Sequence, residues 1–169
     1  GDAFTFYESW MYSALRELAP AMPGAKPSEL AAQCNPQISA KEVRSALAFL
    51  VKAGFLQKTG EDEYKQVNKS IKASAEALPL ALRSLHKQMM DLAKSAVDNI
   101  DKSERNVTGV TVSINRKDYE EIVKDIDALR QKVANLGIAR GCGKQVYHLG
   151  VQLFPLTKKP DNVNESKKV

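Results

Sequence analysis

Residues 39–67 constrain the fold of this chain more than any other stretch. Ser39 and Glu42 have the spacing of a capping box, in which each side chain satisfies the other residue's backbone N–H, so a helix is predicted to begin at Ala40. Apolar residues then recur at intervals of three and four, which predicts one buried face. They are Val43, Ala46, Leu47, Leu50 and Val51. Gly54 stands where a left-handed C-terminal cap is least strained.

A short β-hairpin is predicted directly after this helix. Its strands cover residues 55–58 and 64–67, and the polar residues 59–63 form a tight turn between them. A helix that runs into a β-hairpin is the second half of a winged helix. The chain is therefore expected to supply the first half of such a unit upstream.

Two helices predicted upstream complete this unit. The first covers residues 4–19, and a shorter one over residues 26–34 is capped by Ser28. A short helix joined by a few turn residues to a longer one has helix-turn-helix geometry. Residues 1–77 are accordingly predicted to form a winged-helix-like unit.

The second half of the chain carries two long amphipathic helices. Pro79 opens the first at a position where its missing N–H is harmless, and the apolar stripe continues to Ile100. The second helix follows Asn115, which is paired with Asp118 three residues on, and is predicted to end at Gly137. Its apolar residues recur with the cleanest periodicity in the chain. They are Tyr119, Ile122, Val123, Ile126, Leu129, Val133 and Leu136.

Two strands are predicted on either side of the second long helix. Residues 110–114 and 145–154 alternate apolar and polar side chains with the period of a half-buried strand. Because two strands rarely make a stable sheet, the hairpin, another chain or a missing region must complete it. The predicted fold is therefore α+β, with a long helix and a strand-helix-strand unit over residues 78–157 and a disordered tail over residues 158–169.

Composition and charge bound the location of the protein. The net charge is +5 and 43% of residues are hydrophobic, but no apolar run reaches the roughly 20 residues of a membrane span. Cys34 and Cys142 lie far apart and no secretory segment is present, which predicts free thiols and a cytoplasmic location, with no membrane partner. Because the chain begins Gly-Asp-Ala-Phe, we expect an upstream region to have been removed.

A candidate DNA-reading face lies on the helix that is predicted to begin at Ala40. Lys41, Arg44, Ser45 and Lys52 occupy the side opposite its apolar face, from which Arg and Lys can reach phosphates or guanine edges in a major groove. An ordinary solvated helix face has the same composition. Acidic residues at 61–63 would also oppose phosphate binding, and winged helices serve as protein-interaction modules too.

A second candidate site is the polar face of the last predicted strand. His148 and Gln152, with Thr111 and Ser113 adjacent, could line a small-molecule pocket, although a solvated or interface sheet face fits the same pattern. The two cysteines and two histidines lack the short paired spacings of a metal site, so no metal or cofactor is expected. The chain also lacks a phosphate-binding glycine loop and a nucleophile elbow, which predicts that it is not an enzyme.

Several segments together resemble one family. They are residues 6–10, 38–56, 80–89 and 112–114, and the ending Val151-Gln152-Leu153-Phe154-Pro155-Leu156. These segments resemble the C-terminal region of a family of uncharacterised bacterial transcriptional regulators, described mainly as a domain of unknown function. The resemblance implies a role in transcription regulation and a helix-turn-helix-like region upstream in fuller members. It brings no catalytic residues with it.

The sequence as a whole predicts the regulatory or dimerisation region of a transcriptional regulator, acting without catalysis. Direct DNA binding by the winged helix and small-molecule sensing are the alternatives. A homodimer is predicted through residues 79–156, because open strand edges and a partly uncovered helix stripe need a partner. DNA or another protein is the further partner that this role would involve.

Overall fold

The computed structural model describes residues 1–67, 77–140 and 143–160. Helices and one small antiparallel sheet make up the described fold, which confirms the predicted α+β class. The helices are α1 (Asp2–Glu8), α2 (Trp10–Ala21), α3 (Pro27–Gln33), α4 (Ala40–Lys52), α5 (Ala77–Asn99) and α6 (Arg116–Arg140), with a 3-10 turn at Lys102–Glu104. The strands are β1 (Leu56–Gly60) and β2 (Glu63–Gln66).

The N-terminal helix is broken at Ser9. The prediction of one helix over residues 4–19 is wrong, because Ser9 is extended (φ −142°, ψ 140°) and separates α1 from α2. The Ser9 hydroxyl accepts a hydrogen bond from the Met11 N–H at 3.2 Å and so caps α2. The chain therefore enters α2 in a new direction.

The helix α4 begins and ends as predicted. The Ser39 hydroxyl accepts from the Glu42 N–H at 3.0 Å, and the Glu42 carboxylate accepts from the Ser39 N–H at 3.1 Å. Gly54 has a φ of +83°, the left-handed conformation expected after the helix. The preceding helix differs from the prediction, since α3 begins at Pro27 and holds Ser28 inside the helix rather than at its N-cap. Proline at the first helical position needs no N–H partner, so it favours this earlier start.

The predicted hairpin is confirmed, with strands at Leu56–Gly60 and Glu63–Gln66 rather than at 55–58 and 64–67. The strands pair antiparallel with Leu56 opposite Gln66. Asp62 in the turn has a φ of +54°, which aspartate tolerates better than most residues. Its carbonyl accepts from the Gly24 N–H at 2.8 Å, so the hairpin tip is tied to the loop between α2 and α3.

One hydrophobic core holds residues 1–67 together, and we call this part the helix–hairpin unit. Its largest fully buried side chains are Phe55, Leu15, Leu30, Leu50, Leu56 and Val43. The ring of Phe55 lies 4.6 Å from that of Phe6 and 6.3 Å from that of Phe49, measured between centroids. Arg16 places its guanidinium over the Phe55 ring at 5.4 Å and donates to the Val67 carbonyl at 3.0 Å. This contact ties the end of the hairpin to α2.

The second half of the chain has almost no core within the described residues. The predicted long helix α5 is confirmed, but it begins at Ala77 rather than at Pro79. It packs on α1 and α2 and buries Ala81 and Leu85. No described residue after Leu85 is buried. No helix in the described ranges combines the length and the apolar character that crossing a membrane requires.

The helix α6 is confirmed but longer than predicted. At its start the Asn115 N–H donates to the Asp118 carboxylate at 2.9 Å, which satisfies one of the free donors of the first turn. The helix does not end at Gly137 and continues to Arg140. A glycine inside a helix costs only about 1 kcal/mol, which is too little to end this one.

The two strands predicted in the second half do not form. In the described part of the chain the sheet contains β1 and β2, and neither residues 110–114 nor residues 145–154 pair with them or with each other. Alternating side chains make a segment suitable for a sheet without supplying a partner strand, and a strand needs one. The apolar residues of these segments consequently stay exposed, with Val110 at 89% and Val112 at 63%.

Candidate functional site

A groove between α4 and the hairpin gathers basic residues of the helix–hairpin unit. Its volume is about 450 Å³. Its lining residues are Pro27, Arg44, Leu47, Ala48, Val51, Lys52, Lys58, Asp62 and Tyr64. Apolar side chains of α4 form part of the wall, and the long side chains of Arg44, Lys52 and Lys58 add three cations.

The groove contains part of the predicted DNA-reading face. Arg44 and Lys52 line it, whereas Lys41 and Ser45 are exposed on α4 outside it. Lys58 was missed by sequence reasoning, because its place in the groove depends on β1 folding back beside α4. Its only sequence signal is an exposed position on a short strand, which many lysines share.

Carboxylates stand close to these cations. Asp62 lines the groove itself, and Glu61 and Glu63 are exposed beside it in and after the turn. A carboxylate near a nucleic-acid phosphate opposes the release of counterions that drives binding. The α4 side of the groove therefore favours an anion more strongly than the hairpin tip does.

The second predicted site brings His148 and Gln152 together around Gly150. A Cβ atom at Gly150 would lie 3.2 Å from His148 Nε2 and 3.4 Å from Gln152 Nε2. Both side chains thus occupy the space that the missing Gly150 side chain leaves, on one face of the segment. The predicted neighbours Thr111 and Ser113 are exposed.

His148 also lies within the electrostatic reach of α5. Desolvation lowers the pKa of the His148 imidazole below its usual value, and the charge of His86 on α5 lowers it further. A neutral imidazole at pH 7 offers one hydrogen-bond donor and one acceptor. Within the described residues, no group of three or more His, Cys, Asp and Glu side chains could hold a metal ion.

The two cysteines differ in what the structure shows of them. Cys34 is a free, buried thiol, and burial raises its pKa. Since the thiolate is the reactive form, burial makes the Cys34 thiol less reactive at neutral pH. Cys142 lies outside the described residues.

Gln88 of α5 joins the second half of the chain to the break between α1 and α2, which we call the α1–α2 junction. Its Nε2 donates to the carbonyl of Glu8 at 2.6 Å, and its Oε1 accepts from the N–H of Trp10 at 3.1 Å. One amide therefore bonds to the last residue of α1 and the first of α2. Sequence reasoning missed this contact, because the partners lie about 80 positions apart and no local pattern relates them.

The fold and these sites define an α+β chain in which a helix–hairpin unit carries a basic groove and a long helix bears a largely unburied second half. A domain of unknown function, DUF4423, matches residues 1–156, and the chain belongs to this family. This confirms the family of uncharacterised domains that the sequence resembles. No functionally curated protein and no solved structure matches the chain.

Proposed function

We propose that this chain is the regulatory region of a transcriptional regulator, in which the second half binds a partner and α5 transmits that binding to the helix–hairpin unit. The observation that carries this proposal is the position of Gln88, which bonds to both sides of the α1–α2 junction. The apolar residues beyond Leu85, none of them buried in the described ranges, supply the surface for the partner. The role involves no catalytic step.

Transmission follows from the geometry of the junction. A partner that covers the second half stabilises one orientation of α5 over others. A shift of α5 stretches the hydrogen bonds of Gln88 to Glu8 and Trp10, each worth about 1 kcal/mol. Losing one of them changes an equilibrium between two arrangements about fivefold, which is within the usual range of coupling between sites.

Trp10 provides a direct test, because it is the only tryptophan of the chain and its backbone N–H donates to the Gln88 side chain. We expect its fluorescence emission to change over the concentration range in which the predicted homodimer forms, as followed by sedimentation. Gln88→Ala should associate equally and lose most of the emission change. The exposed neighbour variant Lys87→Ala should behave as the unaltered chain does. Constant Trp10 emission during association of the unaltered chain would contradict the proposal.

Direct DNA binding by the helix–hairpin unit is a second candidate. The convergence of Arg44, Lys52 and Lys58 on one groove favours it. In winged-helix and related proteins, the helix that corresponds in position to α4 enters the major groove. Cations on its exposed side contact phosphates or bases. The carboxylate of Asp62, which also lines the groove, reduces the affinity that these three cations give for phosphate.

For this candidate we expect the double variant Arg44→Ala, Lys52→Ala to bind generic duplex DNA more weakly than the unaltered chain. The loss of two phosphate contacts should reduce the slope of log affinity against log salt by about 2. Fluorescence anisotropy at several salt concentrations measures both quantities. Arg83→Ala, Lys94→Ala removes two exposed cations of α5 and should leave binding unchanged. Equal weakening by both double variants would exclude α4 as the binding face.

The pairing of His148 with Gln152 supports small-molecule sensing as a further alternative. Their imidazole and amide groups lie on one face around Gly150 and can both donate and accept hydrogen bonds. A ligand held there would also lie near His86 of α5. Such a sensor would act on the helix–hairpin unit through the same α5.

A further inference from the structure

The chain as a whole exposes more surface than a compact chain of its mass. The accessible surface of the chain is 12979 Å², whereas a compact chain of 18.6 kDa exposes about 8,200 Å². Full exposure of all residues outside the described ranges would account for about 3,200 Å² at most. The described residues therefore expose at least about 1,600 Å² beyond a compact fold, which exceeds the roughly 800 Å² that each partner contributes to an interface of standard size.

The exposed large hydrophobic side chains lie almost entirely in the second half. Apart from Phe4 and Val67, every large hydrophobic side chain that is exposed among the described residues falls within residues 80–156. Patches of this extent on soluble chains mark interaction sites. The second half is thus the part of the chain that a partner covers.

The helix α6 carries a continuous apolar seam with a strict seven-residue repeat. Its positions are Tyr119, Ile122, Ile126, Leu129, Val133 and Leu136, separated alternately by three and four residues. This is the spacing at which two helices pack side by side along their length. The C-terminal part of the seam is the more open, since Leu129 is 43% and Val133 is 42% exposed.

The charge of α6 is opposite at its two ends. Residues 116–127 carry three cations and five carboxylates, a net charge of −2, whereas residues 128–137 carry Arg130 and Lys132, a net charge of +2. Two copies of α6 packed antiparallel place each negative end against a positive end. Parallel packing places like charges together, which opposes association.

We infer that the partner of the second half is a second copy of this chain, and that the two α6 helices pack antiparallel about a two-fold axis between Ile126 and Leu129. The inference rests on the proposed function, whose partner it names. A symmetric interface needs a surface complementary to itself, and α6 meets this in both its seam and its charge. In this arrangement Asp125 lies close to Lys132 of the partner subunit, and the pair occurs twice.

Sedimentation equilibrium of the chain at micromolar concentration tests the inference, with the dimer mass as the expected result. Leu129→Asp places a carboxylate at the centre of the seam and should yield monomers that keep the cooperative melting of the helix–hairpin unit. Gln131→Asp introduces the same carboxylate on the outer side of α6, and this variant should stay dimeric. A monomer mass for the unaltered chain, or dimers of Leu129→Asp as tight as those of the unaltered chain, would overturn the inference.

Charge reversal tests the antiparallel arrangement without altering the seam. Asp125→Lys and Lys132→Asp should each raise the dissociation constant of the dimer about tenfold, and both changes in one chain should restore it. If Arg130→Asp rather than Lys132→Asp restored the dimer affinity lost in Asp125→Lys, the two α6 helices would pack parallel, and the antiparallel geometry would be rejected. If the chain dimerises and the Trp10 emission stays constant, the proposed coupling through α5 is rejected, whereas the inference of a dimer stands.

Discussion

Replacing Phe55 with alanine should lower the free energy of unfolding of the helix–hairpin unit by about 3–5 kcal/mol. The Phe55 ring is 0% exposed and packs 4.6 Å from the Phe6 ring, measured between centroids. Its removal opens a cavity in the only enclosed core that the described residues form, and α4, β1 and α1 cannot collapse into it without losing their own contacts. Urea unfolding followed by Trp10 fluorescence measures the loss.

Phe4 provides the matched control for this substitution, since it is the same residue type at 38% exposure. Phe4→Ala removes less buried surface, so it should cost about 1–2 kcal/mol, less than Phe55→Ala. Losses of similar size for the two variants would mean that the core around Phe55 is not enclosed.

Replacing Arg16 with alanine should destabilise the same unit by about 2–4 kcal/mol. The Arg16 guanidinium lies 5.4 Å from the centroid of the Phe55 ring and 5.9 Å from that of Phe6. It also donates to the Val67 carbonyl at 3.0 Å. The substitution removes both contacts, so the end of the hairpin keeps only part of its attachment to α2, including the hydrogen bond from Gln66 to the Glu17 carboxylate. Thermal unfolding by circular dichroism measures the loss.

Arg16→Met separates the charge of this side chain from its packing. The Nε atom of Arg16 is buried without a hydrogen-bond partner in the described part of the chain, and methionine removes that cost while keeping an apolar stem. Met should therefore restore part of the stability lost in Arg16→Ala. Because Arg16 contacts Phe55, the double variant Arg16→Ala, Phe55→Ala should lose less than the two single losses combined. Additive losses would show that the cation over the ring contributes nothing.

Local patterns in the sequence predicted the elements whose stabilising contacts lie within one or two turns. The Ser39–Glu42 capping box and the left-handed Gly54 each satisfy backbone groups of their own helix, so their residue types alone indicate the structure. The apolar stripes predicted α5 and α6 for the same reason. Gly137 misled the prediction of where α6 ends, since a glycine that favours a helix end does not enforce one.

The candidate groove was predictable only on its α4 side. Arg44 and Lys52 follow from the helical period, since they lie opposite an apolar face. Lys58 joins them only because the hairpin folds back beside α4, and that approach is decided by packing of the core rather than by any residue near Lys58 in the chain.

The sequence by itself determined the helices, the hairpin and the apolar character of the second half, because these follow from interactions between near neighbours. The break at Ser9 depends on tertiary structure as well as on the local Ser9 cap, since the amide that bonds across it belongs to Gln88 on a distant helix. Tertiary structure alone decided that residues 110–114 and 145–154 form no sheet. A strand exists only with a partner, and alternation along one segment carries no information on whether a partner strand lies within reach.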